Sequence, residues 1–367
     1  MDTLDFIHGL RWPDLPAAVQ TRTKACLRDL LGVAAGGAHT RMTRIIRAHA
    51  AEDMPGTVPI LFSDLRASAP AAALAMATGI DSLDGHDGYN PSKGHVGCSV
   101  IAALLALAPD GLPGHEALAT LAMGYEVGSR CAEAQHDSVA DYHTSGSWGA
   151  VACAAVGARL LGLTRDQTRH ALGIAEYHGP RSQMMRCIDA PTMVKDGSGW
   201  GAMCAVQAVD MARRGFTGAP AITVEDAPET WGDLGDRWYI MEQYFKPYPV
   251  CRWAQAPVEG VLALRRAHQL QPDDVARIEV ETFHEAIRLA TRRPQSTEAA
   301  QYSTSFPCAV AMVRGGITAA AIGAAALTDP DILRLSDSMI LREDAEANRA
   351  FPGRRLARIT LELSDGR

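Results

Sequence analysis

Two stretches of this chain, residues 96–108 and 144–161, are apolar almost all round, filled mainly by Ala, Gly, Val, Leu and Cys. A helix that turns no polar face to water must be enclosed by other helices, so the chain is predicted to build a core several helices deep. Small side chains let helix axes approach closely. Aromatic residues make up only 6% of the sequence, which favours such packing over a sheet sandwich. At 367 residues a single simple core is exceeded, and two domains of unequal size are expected.

The flanking sequence supports this layout. Asp14 is placed to cap a helix whose residues Val19, Cys26, Leu27, Leu30, Leu31 and Ala34 share one face. Ser68, followed by Pro70, opens an Ala-rich helix to about Leu83. Thr164 with Gln167 forms a capping box for a helix reaching about Tyr177. Another helix, about 199–214, stops at Arg213, Arg214 and Gly215. After about residue 244 the texture changes. Arg277 to Thr282 alternates charged and β-branched residues, and Ala357, Ile359, Leu361 and Leu363 repeat the period of two. With helical segments at 304–314 and 317–327, these read as antiparallel strands interleaved with helices. The expected fold is therefore mainly α: an all-α domain over 1–243 and a smaller α+β lid domain over 244–367. The acidic, turn-rich segment 225–238 reads as a surface crossover between them. Ser364-Asp365-Gly366-Arg367 carries a hairpin signal with no strand behind it, so the natural chain is expected to continue.

Bulk properties narrow the function. A formal net charge of −7 without a run of like charges argues against a nucleic acid or an acidic membrane as main partner. No stretch of eighteen apolar residues is present, so no membrane span is expected. The eight cysteines, Cys26, Cys98, Cys131, Cys153, Cys187, Cys204, Cys251 and Cys308, form no CxxC pair. Together with an acidic start that is no signal peptide, they predict a reducing, cytoplasmic setting.

Four loop-like places concentrate polar residues that a helical core does not need. The first runs from Asp81 through Asp84, His86, Asp87 and Lys93 to His95, between two buried helices. The free N–H groups of the second of these helices suit a carboxylate. The second place is Asp141-Tyr142-His143-Thr144-Ser145, and the third runs from Thr192 through Lys195 to Gly201. The fourth is Tyr244 to Trp253, with Lys246, Cys251 and Arg252. Taken singly, each has a plain structural reading as a cap, a turn, a solvated lysine or a proline-stiffened linker. Four of them leading into helices or a domain junction in one chain point to chemistry. The glycines at 197, 199 and 201 lack the dinucleotide fingerprint and no strand precedes them. His86, His95, His143 and His178 lack the spacing of a zinc site, and no nucleophile elbow is present, so neither metal nor cofactor is expected. His268 and His284 read as surface residues.

At these same four places the sequence resembles the 2-methylcitrate dehydratase (MmgE/PrpD) family over essentially its whole length. The matching residues are Leu83-Asp84-Gly85-His86-Asp87 through His95, Tyr142-His143-Thr144, Thr192-Met193-Val194-Lys195, Arg213 to Gly218, and Lys246-Pro247-Tyr248-Pro249-Val250-Cys251. The resemblance implies a large all-α domain with a smaller α+β lid, a homodimer, a site in the cleft between domains and no metal. It maps site residues onto Asp84, His95, His143, Lys195 and Lys246, with Cys251 and Phe306 nearby. This chain departs from the family at Asp84-Gly85-His86-Asp87, where Asp-Phe-Asp-Asp is usual, and one extra residue precedes His95. It departs again at Ser198, where a histidine is common, and members usually continue past Arg367.

The implied reactions share one demand: negative charge held next to a carbon that bears carboxylates. Lys195 and Lys246 suit a carboxylate clamp with Arg252 as a third cation, and His86 and Lys93 join the substrate-binding set. His95 and His143 suit acid/base work, with Asp84 orienting one of them or holding a leaving hydroxyl. The expected function is a cofactor-independent lyase, dehydratase-type, acting on a small di- or tricarboxylate. An epimerase of an amino- or imino-dicarboxylate is the alternative, and a non-catalytic carboxylate-binding protein is a more distant one.

Overall fold

A computed structural model describes residues 2–367. The chain is 59% helical with only small sheets. Its contacts divide it into two units. The first comprises residues up to Ser82, His86–Met184 and Lys195–Phe245; the second comprises Leu83–Gly85, Met185–Val194 and Lys246–Arg367.

In the first unit the Ser145–Leu160 helix packs against Ser198–Arg213, Gly114–Ser138, Arg165–His178 and Gly97–Leu107. Neighbours on every side explain why its sequence has no polar face. Small residues set the spacing: a Cβ on Gly157 would come within 2.8 Å of Leu107 and 2.9 Å of Val209. The capping box at Thr164 and Gln167 forms, with Thr164 Oγ1 accepting the Gln167 N–H. Asp14 does not cap. It ends a short 3-10 turn and pairs with Arg11, and the helix Ala17–Gly37 starts behind Pro16 instead. The Ser68 helix ends at Asp81 rather than Leu83.

The acidic 225–238 segment is not simply a surface strap. Trp231 and Leu234 are buried in the first unit's core. Arg130, fully buried on the Gly114–Ser138 helix, donates to Thr230 O, Asp233 and Arg237 O. Glu126, one turn earlier, accepts the Tyr239 and Ile240 N–H groups at 3.1 and 2.9 Å. One polar stripe on a buried helix thus satisfies a length of irregular backbone.

The second unit carries a three-stranded sheet in the order Ile340–Glu343, Val275–Thr282, Ala357–Leu363. The expected strands are present, and Ile278 faces Leu361 while Val280 faces Ile359 in an antiparallel register. The sheet is mixed rather than wholly antiparallel, because Ile340–Glu343 pairs in parallel. The helices Gln255–His268 and Pro330–Ser338 pack on this sheet, and Ser305–Arg314 packs on both helices. The segment 317–327 forms turns and a 3-10 stretch, Ala324–Thr328, instead of a helix. Gly315 and Gly316 precede it and Gly323 interrupts it, and glycine disfavours a helix interior.

Candidate active site

In the first unit the starts of two buried helices meet through glycine. A Cβ on Gly146 would collide with the Gly197 carbonyl, and the Gly146 N–H donates to Asp196 O at 3.0 Å. This close approach brings Ser145 to Asp196. The Ser145 hydroxyl donates to Asp196 Oδ2 at 3.1 Å and accepts the His95 main-chain N–H at 3.0 Å. The loop to His95 folds back on itself, with Tyr89 N donating to Gly94 O at 2.9 Å and Lys93 N to Asn90 O at 3.1 Å. Gly94 is needed there, since a Cβ would stand 2.6 Å from Ser145 Oγ and 2.8 Å from the Trp148 ring. Gly88 and Tyr89 pair with Tyr244 and Gln243, tying the loop's near end down.

The buried His95 has its Nδ1 2.6 Å from Asp87 O. A carbonyl only accepts, so Nδ1 carries a proton and any proton exchange runs through Nε2. His143 repeats the arrangement, with Nδ1 2.8 Å from Asp141 O. Its segment is held by a bridge to Gln183 and by the bond from Thr144 N to Ser182 O at 2.9 Å. His86 packs edge-on against His95 with ring centroids 4.3 Å apart, and its Nε2 lies 3.3 Å from Asp81 Oδ1. Tyr142 joins the loops: its hydroxyl donates to Lys93 O, and Lys93 Nζ lies 4.7 Å from its ring centroid. Lys195, only 1% exposed, lies just ahead of the Ser198–Arg213 helix with φ +50°. Lys93 (φ +54°) is also left-handed, a conformation that costs a side-chain-bearing residue energy and gathers at functional sites.

In the second unit Asp84, left-handed at φ +48°, takes the ammonium of Lys246. Lys246 Nζ donates to the Asp84 carboxylate and, at 2.8 Å, to its carbonyl oxygen. Both side chains are buried. The Cys251 N–H donates to Gln301 O at 3.0 Å, and Arg252 opens a 3-10 turn. Phe306 belongs to this unit's hydrophobic core.

The predicted residues therefore divide: His86, Lys93, His95, His143 and Lys195 lie in the first unit, and Asp84, Lys246, Cys251, Arg252 and Phe306 in the second. Asp84 pairs with Lys246. The carboxylate beside His95 Nε2, at 3.5 Å, is Asp196; it and Ser145 fall in the candidate loops but carry no role in the sequence reading. That reading passed over His136, whose ring sits 5.5 Å from that of Tyr142. Burial first, then Lys93 and His143, push His136 down to about 4 and keep it neutral near pH 7. Among the described residues no group of three or more His, Cys, Asp and Glu side chains is placed to hold a metal. No helix among them is long and apolar enough to cross a membrane.

Asp87 anchors the histidine loop from below. It is fully buried, accepts the Tyr125 hydroxyl, and its N–H donates to Asp29 Oδ2 at 3.0 Å. Burial pushes its carboxyl up to about 7, the Tyr125 bond opposing and Asp29 adding. A pKa raised on folding stabilises fully below the ordinary value near 4, and that stability is lost as pH rises through 7. Asp87→Asn cannot ionise and keeps an acceptor for Tyr125. Thermal melts are expected to show the wild type losing up to about 4 kcal/mol relative to the variant between pH 4 and 8. Parallel curves would contradict this.

The chain matches both family models: the MmgE/PrpD N-terminal domain over residues 2–232 and the MmgE/PrpD C-terminal domain over 248–367. The chain belongs to the MmgE/PrpD family. Among curated members of that family's sequence neighbourhood, it is 25% identical over 347 residues to the cis-aconitate decarboxylase of Aspergillus terreus (strain NIH 2624 / FGSC A1156), covering 83% of this chain and 70% of that protein. It is 25% identical over 364 residues to the Homo sapiens cis-aconitate decarboxylase, covering 90% and 73%. With the Mus musculus enzyme of the same name it is 23% identical over 392 residues, covering 98% and 78%. In this MmgE/PrpD chain Asp84, His95, His143, Lys195 and Lys246 are all buried.

Proposed function

We propose that this MmgE/PrpD protein is a cofactor-independent lyase acting on a small di- or tricarboxylate. The observation that carries the reading is the shared setting of His95 and His143, each with Nδ1 on a main-chain carbonyl, which directs proton exchange to Nε2. The relatives named cis-aconitate decarboxylase favour a tricarboxylate or its unsaturated relative as substrate.

Lys195 and Lys246 hold substrate carboxylates, with Lys93 and Arg252 as further cations. Asp84 fixes Lys246 through two hydrogen bonds. In dehydration, one histidine removes the proton α to a carboxylate, the electron pair spreads into that carboxylate, and the other histidine protonates the departing hydroxyl as water. In decarboxylation, the pair left by departing carbon dioxide is delocalised the same way and a histidine delivers the proton to carbon. Both routes need the preorganised positive charge that the lysines supply.

Proton NMR in heavy water tests this with citrate-, aconitate- and aspartate-like acids. New vinyl signals, or loss of existing ones with net conversion, are the expected result. Exchange of deuterium into recovered acid without net conversion would identify an epimerase and overturn the lyase assignment.

A further inference from the structure

We propose that Asp196 is a positioning residue that makes His95 the proton donor of the pair, leaving His143 as the base. The inference rests on the reading of these two histidines as the acid/base groups. Its basis is a buried constellation in the first unit that spans three separated stretches of sequence.

His95 Nδ1 is committed as a donor to Asp87 O. Its Nε2 faces Asp196 Oδ2 at 3.5 Å, and both side chains are almost fully buried. A carboxylate there stabilises a proton on Nε2, so the ring begins the cycle doubly protonated. His143 has the same carbonyl lock on Nδ1, yet no carboxylate lies at ion-pair distance from it among the described residues. The two histidines are thus alike in tautomer and unlike in charge partner, and that difference divides the labour.

Asp196 is itself held for the task. Its carbonyl accepts the Gly146 N–H, and its Oδ2 accepts the Ser145 hydroxyl. Ser145 has one proton to give, and it goes to Asp196; its lone pair takes the His95 N–H. One hydroxyl therefore fixes the carboxylate and the backbone of its histidine relative to each other. Left-handed residues on both sides, Lys195 at φ +50° and Gly197 at φ +66°, turn the chain sharply at Asp196.

The test uses the full chain with ¹⁵N-labelled histidine, the His95 signals being assigned by their loss in His95→Gln. In the wild type both ring nitrogens are expected to show the protonated pattern, and in Asp196→Asn the neutral Nδ1–H pattern. Asp196→Asn should lower kcat by about tenfold to a hundredfold with KM little changed, and Asp196→Glu should recover part of it. Should Asp196→Asn fold poorly, Ser145→Ala keeps the carboxylate but frees it, and a mixed His95 pattern is expected. An unchanged His95 pattern in Asp196→Asn, or a rise in KM alone, overturns the proposal. A pattern that depends on Asp196 while no acid is turned over supports the positioning role and removes the lyase reading, so the two claims fail separately.

Discussion

Lys195→Ala is expected to cut kcat/KM by roughly a hundredfold to a thousandfold, the loss seen when one preorganised group facing developing charge is removed. Packing does not explain this lysine. It is among the largest fully buried side chains of the molecule, and it sits in the left-handed region. Taking an ammonium out of water and straining its backbone both oppose folding. A buried, left-handed lysine just ahead of a helix fits a charge that serves the chemistry. Stability therefore should not fall in step with activity. Lys195→Gly, which also relieves the backbone, should lose activity like Lys195→Ala and melt higher than it, by about 1 kcal/mol or more. Steady-state kinetics and thermal melts on the two variants check this. Full activity in either would remove Lys195 from the chemistry.

The largest stability effect is expected at Arg130. Its guanidinium is fully buried, donates to Thr230 O, Asp233 and Arg237 O, and lies 4.3 Å from the Tyr239 ring centroid. Glu126 Oε2 is 3.8 Å from its Nε, and burial already pushes the Glu126 carboxyl up to about 7, against the bonds from Ile240 and Tyr239. Arg130→Ala leaves three acceptors unmatched and a buried carboxyl without its cation, for a loss of roughly 3–5 kcal/mol. Adding Glu126→Gln to that variant removes the charge but sets an amide NH2 against the Tyr239 or Ile240 N–H, so it should recover little. Urea unfolding of the single and double variants measures both steps. The segment this arginine fastens runs on to Gln243 and Tyr244, which pair with the start of the His95 loop, so activity should fall with stability here, unlike at Lys195.

The helices were legible because periodicity and caps are local. Thr164 and Gln167 mark a helix start within four residues, and an all-apolar stretch such as 144–161 announces neighbours on every side. The strand Ile340–Glu343 was not legible: four residues show no alternation, and its partner lies some sixty positions away. Acidity made 225–238 look like surface, because the arginine that buries it stands a hundred residues earlier. Among candidate site residues, histidines and lysines in loops ahead of helices stood out by type and place. Asp196 stood in the same loop as one of them without a role, since its relation to His95 exists only once Gly146 lets two helix starts touch. Ser145, named in its loop, gained no role for the same reason. The Asp84–Lys246 pair joins residues 162 apart, and no pattern of spacing predicts which carboxylate a lysine will take. Phe306 was placed near the site by resemblance, and in the fold its ring packs in the core of the second unit.

The central claim is that the chain performs chemistry on a polycarboxylate. Incubating the wild-type protein with cis-aconitate in heavy water and following the olefinic region by proton NMR tests it most directly. The substrate's vinyl signal is expected to decline at a rate proportional to protein concentration, with signals of a lyase product rising in its place. An acid that binds tightly while its spectrum stays unchanged, repeated across the citrate- and aspartate-like acids, would contradict it and leave only a carboxylate-binding protein.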